Sequence, residues 1–176
     1  METTKKWFKE LLPYIIIIAV VIIIRSFLIS PIQVDGKSMD PTLKDGQVLL
    51  LNKIELKTRG IKRFDIVVID HPLNPQDKYL IKRVVGLPNE KIAYRDGTLY
   101  VNDKEIKEPF LNQTTQDFEL DELGVTKVPK DSYFVVGDNR SNSADSRYIG
   151  FIPKDEIKGI TNFRLFPFNQ FGKIQK

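Results

Sequence analysis

A serine and a lysine are the residues of this chain best suited to chemistry. Ser38 opens the run Ser38–Leu43, and Lys82 lies within the apolar run Tyr79–Val85. A serine hydroxyl is a weak nucleophile unless a neighbouring base removes its proton, and a neutral lysine amine can be that base. The two residues together predict nucleophilic catalysis by serine, with lysine as the general base.

The chain offers few other bases or nucleophiles. It contains one histidine, His71, and no cysteine, so thiol nucleophiles, disulfides and thiolate zinc sites are excluded. His71 lies among prolines and an asparagine, residues typical of an exposed turn. We therefore expect lysine to be the base, and we expect neither a metal ion nor a cofactor.

Lysine can act as a base only where its surroundings favour the neutral amine. Alternate side chains of a strand share one face, so Lys82 is expected on the same face as Leu80 and Val84. That apolar setting disfavours the ammonium form and lowers the pKa of the lysine. Taken alone, Lys82 is more typical of an outward-facing, solvated strand lysine, and Ser38 is more typical of a turn residue before Pro41; the pair becomes persuasive only with a third segment.

A dense polar run, residues 137–147, follows the apolar segment Tyr133–Val136. One interpretation is a solvated loop. A calcium loop does not fit, because Arg140 occupies a ligand position, Ser143 replaces the required glycine and Ile149 replaces the bidentate glutamate. The remaining interpretation is a hydrogen-bonded network whose hydroxyls orient an amine and whose carboxylates pair with arginines.

An apolar segment near the N-terminus, residues 11–24, predicts a membrane anchor. Alone it is too short for a hydrocarbon core of roughly 30 Å, but continued to Ile29 the helix would be about 28 Å long. We expect an anchor over residues 11–30, after a short cytoplasmic segment of residues 1–10. The alternative is a cleaved secretory signal, which is disfavoured because no small-x-small cleavage site follows Arg25.

The rest of the chain, residues 31–176, is expected to form a β-rich body outside the membrane. Short apolar runs predict strands at Gln47–Leu51, Phe64–Ile69, Tyr79–Val85, Tyr133–Val136 and Ile160–Phe166. The pair Asp96-Gly97 predicts a type I′ hairpin turn, and polar residues 112–127 predict a long loop or a lobe inserted between two parts of the core. The inserted hairpin and loop lobe is expected over about residues 89–128. The predicted fold is mainly β: a barrel-like all-β body with a small inserted lobe on one N-terminal transmembrane helix.

The charge pattern does not favour nucleic acid as a partner. The net charge of +4 is small, and the lysines are spread along the chain. Such a distribution matches an anionic membrane surface at least as well as nucleic acid. We expect a lipid bilayer as a partner and no nucleic acid.

Four segments of the chain resemble the sequence boxes of bacterial type I signal peptidases, membrane-anchored Ser/Lys endopeptidases that remove signal peptides from exported preproteins. They are Ser38–Leu43, Phe64–Val68, Tyr79–Pro88 and Gly137–Arg147. The single anchor and short body look like the compact members of Gram-positive bacteria. The resemblance implies cleavage after Ala-x-Ala, and a single-pass protein of the plasma membrane with a cytoplasmic N-terminus and an extracytoplasmic catalytic domain. The resemblance is also compatible with contact between this protein and the export machinery.

The resemblance also implies roles for individual residues. Ser38 would attack the scissile carbonyl, and its own backbone amide would donate to the oxyanion. Lys82 would be the general base, and Ser143 would orient it. Some members of the family carry a second oxyanion donor two residues before the nucleophile, a position that is Gly36 in this chain.

Further residues are implied as support for this pair. Asp138 and Asp145 would form ion pairs with Arg83 and Arg147. An extended substrate would add as a strand beside the enzyme, with shallow apolar pockets that reject large side chains. The residues implied as walls of those pockets are Ile32, Val34 and Met39.

Two alternatives use the same residues differently. A LexA-like self-cleaving Ser/Lys protein has a related fold, but the apolar start and the lack of DNA-binding helices in the sequence weigh against it. An anchored extracytoplasmic β-domain could bind peptides without catalysis. Autocleavage would favour the first alternative, and a complete lack of peptidase activity would favour the second.

Overall fold

The structure is a computed structural model that describes residues 2–27, 29–70, 79–111 and 113–174. Within these residues the fold is mainly β, and His71 lies outside them. The strands are β1 (Ile29–Gln33), β2 (Val48–Asn52), β3 (Ile66–Ile69), β4 (Leu80–Gly86), β5 (Ile92–Arg95), β6 (Thr98–Val101), β7 (Lys104–Ile106), β8 (Phe118–Glu119), β9 (Ser132–Val136), β10 (Ile152–Pro153), β11 (Ile157–Phe166) and β12 (Gly172–Lys173). The α-helices are α1 (Glu2–Phe27), α2 (Lys53–Arg59) and α3 (Ser146–Ile149).

The strands form two antiparallel sheets. The larger sheet has eight strands in the order β1-β2-β11-β3-β4-β9-β10, with β12 paired to β11. It curls into a half-barrel, and within the described part of the chain its two edge strands do not pair with each other, so the predicted barrel is observed in this open form. The smaller sheet has four strands in the order β7-β6-β5-β8.

The central strands of the larger sheet are buried on both faces. All four residues of β3 and all seven residues of β4 are buried. Alternate residues of β3 enter different clusters: Ile66 and Val68 pack with Met39, whereas Val67 packs with Val84. Apolar side chains on both faces therefore hold β4, the strand that carries Lys82, in the middle of the core.

Helix α1 differs in its bounds from the predicted anchor over residues 11–30. It runs from Glu2 to Phe27, and strand β1 begins at Ile29. Proline disfavours helical conformation in the residue before it, so the chain is already extended at Ser30, ahead of Pro31. Among the described residues, no helix has an apolar stretch long enough to cross a membrane.

The predicted strands and hairpin turn are confirmed, with ends that shift by one to three residues. Asp96 and Gly97 both have positive φ angles, 50° and 77°, as a type I′ turn requires. The prediction of a loop over residues 112–127 is partly wrong, because it contains β8 and a 3₁₀-helix at Leu120–Leu123. Strand β8 pairs with β5, so tertiary pairing supplies a strand that the local composition does not indicate.

Candidate active site

The structure brings the predicted serine and lysine into direct contact. Lys82 Nζ donates a hydrogen bond of 2.7 Å to Ser38 Oγ, although the two residues are 44 positions apart in the chain. Ser38 is half-buried, whereas only 3% of Lys82 is exposed. A nucleophile and a candidate base are thus within proton-transfer distance at the edge of a buried core.

The turn that carries Ser38 is fixed by its own hydrogen bonds and by buried side chains. The Asp40 amide donates to the Lys37 carbonyl at 3.1 Å, and the Leu43 amide donates to the Met39 carbonyl at 2.9 Å. Met39 and Leu43 are both fully buried. The backbone on either side of the nucleophile is therefore anchored in the core, while the Ser38 hydroxyl faces the groove described below.

Lys82 is the third residue of β4, a strand that lies between β3 and β9. Its neighbours two positions away, Leu80 and Val84, are buried, and its register partner on β3 is Val67. Removal from water disfavours the charged form of an amine. The strand therefore gives the Lys82 amine the apolar setting that the sequence predicts.

Both of the predicted ion pairs are present in the structure. Arg83 makes a bidentate contact with Asp138 through Nε and NH2 at 2.8 and 2.6 Å, and both side chains are fully buried. Arg147 makes the same kind of bidentate contact with Asp145, through Nε and Nη2, and each hydrogen bond is 2.9 Å long. Asp145 also accepts the Gly137 amide at 3.0 Å. These contacts fix both ends of the polar loop formed by residues 137–147.

Ser143 lies close to the pair, but it does not contact Lys82 through a hydrogen bond in this structure. Its Oγ is buried and has no hydrogen-bond partner among the described residues. A Cβ atom added at Gly137 would overlap both Ser143 Oγ and the Ser38 carbonyl, so the three groups are close together. An orienting role for Ser143 stays a prediction.

Two residues of the polar loop have contacts that the sequence analysis missed. The Asn139 amide donates to the Ser38 carbonyl at 3.0 Å. The Arg140 guanidinium is buried and pairs with Glu108 at 2.6 Å, and it also donates to the hydroxyls of Tyr94 and Thr115. Polar composition marked this loop as a network, but only the fold reveals partners in β5 and in the chain after β7.

The tyrosine in this network is neutral. A phenol is already protonated at physiological pH, and desolvation raises the pKa of the fully buried Tyr94 further. The neutral hydroxyl accepts from Arg140 NH1 at 2.9 Å and donates to Glu108 Oε1 at 3.3 Å. The buried guanidinium and carboxylate are thereby linked by one shared hydrogen-bonding group as well as by their direct ion pair.

A groove of about 1080 Å³ opens beside the serine and the lysine. The three residues predicted as pocket walls, Ile32, Val34 and Met39, all line it. Strand β1, which carries Ile32, is an edge strand of the larger sheet. Other residues that line the groove include Tyr79, Ile81, Asn142 and Ala144.

Comparisons with known proteins agree with this fold and this arrangement. Residues 4–166 match the family described as signal peptidase, peptidase S26. The chain is 43% identical over 170 residues to signal peptidase I of Bacillus caldolyticus, covering 91% of this chain and 92% of that protein. It is 41% identical over 181 residues to signal peptidase IB of Staphylococcus aureus, covering 93% of each. A crystal structure of a signal peptidase I from Enterococcus faecalis matches with a TM-score of 0.52 and 39% identity, covering 57% of this chain and 95% of that one.

The mainly β fold, with a curled sheet that carries a serine and a lysine in contact, places the protein among the serine endopeptidases. Within that class, the chain belongs to the peptidase S26 family of signal peptidases.

Proposed function

We propose that the protein removes signal peptides from exported preproteins, with Ser38 as nucleophile and Lys82 as general base. The observation that carries the proposal is the 2.7 Å contact between Lys82 Nζ and Ser38 Oγ, made by a lysine that is only 3% exposed. Burial favours the neutral amine, which is the form that can take a proton from the serine. Membership of a signal peptidase family supports the substrate class.

The reaction follows from this geometry. Ser38 Oγ forms a bond to the scissile carbonyl carbon, its proton passes to Lys82 Nζ, and the carbonyl electron pair moves onto the oxygen. The Ser38 amide donates to that oxyanion. Collapse of the adduct breaks the carbon–nitrogen bond, and the Lys82 ammonium returns the proton to the leaving amine. Water then attacks the acyl carbonyl carbon, and Lys82 again takes the proton. The bond from that carbon to Ser38 Oγ breaks, Lys82 returns the proton to Oγ, and the signal peptide leaves with a free carboxylate.

We assign a supporting role to the two buried ion pairs and to Ser143. The Arg83–Asp138 and Arg147–Asp145 pairs hold the polar loop against the Ser38 turn, since the loop begins at Gly137, whose α-carbon lies against the Ser38 carbonyl. Ser143 Oγ is buried without a partner on the same side of the loop. Rotation of the Ser143 hydroxyl toward the lysine would satisfy it when substrate changes the hydrogen bonding at Ser38.

The groove supports an extended substrate with small side chains. An extended segment that adds beside β1, which is an edge strand of the larger sheet among the described residues, would run past Ile32 and Val34 and reach Ser38. Those two side chains and Met39 are almost fully buried, so their surfaces leave only shallow apolar hollows. Shallow hollows accept alanine and exclude larger side chains, which fits cleavage after Ala-x-Ala.

We also propose that α1 anchors the catalytic body to the plasma membrane. Ile15, Ile16, Ile17 and Ile18 are each more than half exposed on a helix that leads directly into the larger sheet. Exposed apolar surface of this kind requires cover, and a bilayer can supply it. With the N-terminus cytoplasmic, residues 31–176 would be the extracytoplasmic domain, with residues 89–128 as its inserted lobe, and the site would meet preproteins as they leave the export machinery.

Cleavage of a secretory precursor tests the catalytic proposal. Full-length protein in detergent should cut a precursor with Ala-x-Ala before its junction, immediately after the second alanine, as shown by the product's new N-terminus. Lys82→Ala should lower kcat by about 10²- to 10⁴-fold, and Ser38→Ala should lower it at least as much.

Matched controls come from residues of the same types that lie outside the groove. Ser132, which is half-buried like Ser38, and the exposed Lys104 are absent from the groove-lining set, so Ser132→Ala and Lys104→Ala should cut at the parent rate. Normal cleavage by Ser38→Ala or Lys82→Ala would disprove the pair. A parent protein that binds the precursor without cutting it would leave the anchored binding domain as the function.

A further inference from the structure

We propose that Asn139 is a positioning residue that aims the nucleophile and its oxyanion donor, by holding both peptide groups that flank Ser38. The proposal rests on the proposed function of Ser38 as nucleophile. Asn139 is one residue beyond the Asp138 that pairs with Arg83, and neither the sequence analysis nor the ion pairs assign it a role.

Two hydrogen bonds from one residue carry the proposal. The Asn139 backbone amide donates to the Ser38 carbonyl at 3.0 Å. The Asn139 side-chain Nδ2 donates to the Lys37 carbonyl at 3.1 Å, across 102 positions of sequence. Asn139 thus forms hydrogen bonds with both the peptide group before Ser38 and the peptide group after it.

Peptide planarity links the side-chain bond to catalysis. The Lys37 carbonyl and the Ser38 amide belong to one trans peptide group, in which the C=O and N–H bonds point in opposite directions. A hydrogen bond that fixes the Lys37 carbonyl therefore also fixes the direction of the Ser38 amide. That amide is the proposed oxyanion donor, and such donors act by being aimed in advance at the developing charge.

Asn139 itself is held firmly on both sides. The preceding residue, Asp138, is fully buried in its ion pair with Arg83, and its carbonyl accepts Gln113 Nε2 at 2.6 Å. The following residue, Arg140, is fixed by its pair with Glu108. An asparagine between two anchored residues can transmit this rigidity to the Ser38 turn.

This geometry predicts an effect on turnover and not on substrate affinity. Asn139 is outside the set of described residues that line the groove, so loss of its side chain leaves Ile32, Val34 and Met39 in place. Misdirection of the oxyanion donor weakens the transition state alone. Losses of positioning groups typically cost about 10- to 100-fold, and we expect that factor in kcat with KM within about threefold of the parent.

Two variants separate the lost hydrogen bond from a change in charge. Asn139→Ala and Asn139→Asp both lose the Nδ2 donor, but only the second adds a carboxylate, so a shared fall in kcat identifies the donor. Asn102→Asp is the matched control, because Asn102 is exposed in the β6–β7 turn and its Oδ1, which accepts the Lys91 amide, is preserved as a carboxylate oxygen. It should keep the parent kcat.

A peptide aldehyde ending in alanine gives a second readout. It forms a tetrahedral adduct with Ser38 whose oxygen needs the aimed amide, whereas an uncleavable peptide of the same sequence does not. Both Asn139 variants should bind the aldehyde about 10- to 100-fold more weakly and the uncleavable peptide as the parent does. If Asn139 only stabilised the fold, its variants would unfold at a lower temperature or would bind the aldehyde and the uncleavable peptide equally weakly.

The outcomes distinguish this inference from the proposed function. If the parent cuts, Ser38→Ala does not, and Asn139→Ala has a kcat within twofold of the parent, the positioning role is wrong and the function stands. A raised KM at unchanged kcat would overturn it as well. If Ser38→Ala cuts normally, the proposed function fails, and the positioning role fails with it.

Discussion

The two sheets of the protein have different relations to the candidate active site: the larger sheet positions its serine and lysine, and the smaller sheet contacts the polar loop beside them. The larger sheet carries Lys82 on β4 and lies on both sides of the Ser38 turn, which connects β1 to β2. None of the described residues that line the groove comes from the smaller sheet. That sheet and the chain following β7 instead reach the polar loop, through Glu108 to Arg140 and through Gln113 to the Asp138 carbonyl. The comparison indicates that the smaller sheet serves the reaction by holding a loop in place.

The ion pairs in and next to the smaller sheet differ in the same way in how deeply they are buried. The ion pair between Lys91 and Asp103 lies on its outer surface, where 43% and 63% of the two side chains are exposed. The pair between Arg140 and Glu108 faces the loop, where 1% and 7% are exposed. Exposed pairs contribute little to stability, whereas breaking a buried pair leaves an uncompensated charge. The contacts toward the loop should therefore dominate the energetic role of this sheet.

Glu108→Ala should have the largest effect among variants of the supporting region. It leaves the buried Arg140 guanidinium without its carboxylate, which should lower the free energy of unfolding by about 3 kcal/mol. Urea unfolding of the full chain in detergent measures this loss. Hydrogen exchange should also become faster over residues 137–147, because Arg140 loses its ion pair with the segment after β7, although it keeps its hydrogen bonds to Tyr94 and Thr115.

Glu105→Ala is the matched control for that variant. Glu105 is an exposed glutamate on β7, three residues before Glu108. Its loss should change the free energy of unfolding by no more than about 0.5 kcal/mol and leave exchange in the loop unaltered. Equal effects of the two variants would show that the smaller sheet does not support the loop through Arg140.

The sequence could predict the parts of the site that local pattern encodes. The apolar run around Lys82 marks a buried strand, and Asp96-Gly97 marks a hairpin turn, because two-residue periodicity and positive φ leave direct traces in composition. The contact of Ser38 with Lys82 spans 44 positions and was predicted only by combining chemistry with a family resemblance. Local pattern was therefore sufficient for the strand and the turn, but not for the contact between Ser38 and Lys82.

The missed features depend on partners far away in the chain. Helix α2 has only seven residues, and it is stabilised by the Asn52 cap and by Arg59, which bridges Glu55 and Asp65. The acceptor of the Asn139 side chain is a backbone carbonyl, which no residue type reveals. Composition cannot specify such contacts, because they exist only once the two sheets are packed together.

Phe110→Leu should have an intermediate effect and tests whether stacking also supports the site. The Phe110 ring lies 3.7 Å from the Arg83 guanidinium and packs edge-on against Phe64. Because Arg83 keeps its contacts with Asp138, we expect a loss of about 1–2 kcal/mol in the free energy of unfolding, the range for a desolvated cation–π contact plus lost packing. Phe168→Leu, at a ring that is 81% exposed, is the control and should change little. If Phe110→Leu lowered the free energy of unfolding as much as Glu108→Ala does, the stacking of Phe110 on Arg83 would support the site as strongly as the ion pair between Arg140 and Glu108.

Asp103→Asn should have the smallest effect and tests the outer surface of the smaller sheet. Its carboxylate pairs with Lys91 at 3.0 Å in an exposed position, and asparagine tolerates the positive φ angle of 63° found at this residue. We expect a loss of less than about 1 kcal/mol, because water and salt screen exposed pairs. Urea unfolding at low salt and at 1 M salt measures it, and the difference from the parent should vanish at high salt. A larger loss that persists in salt would contradict the division between a weakly stabilising outer surface and a strongly stabilising face toward the loop.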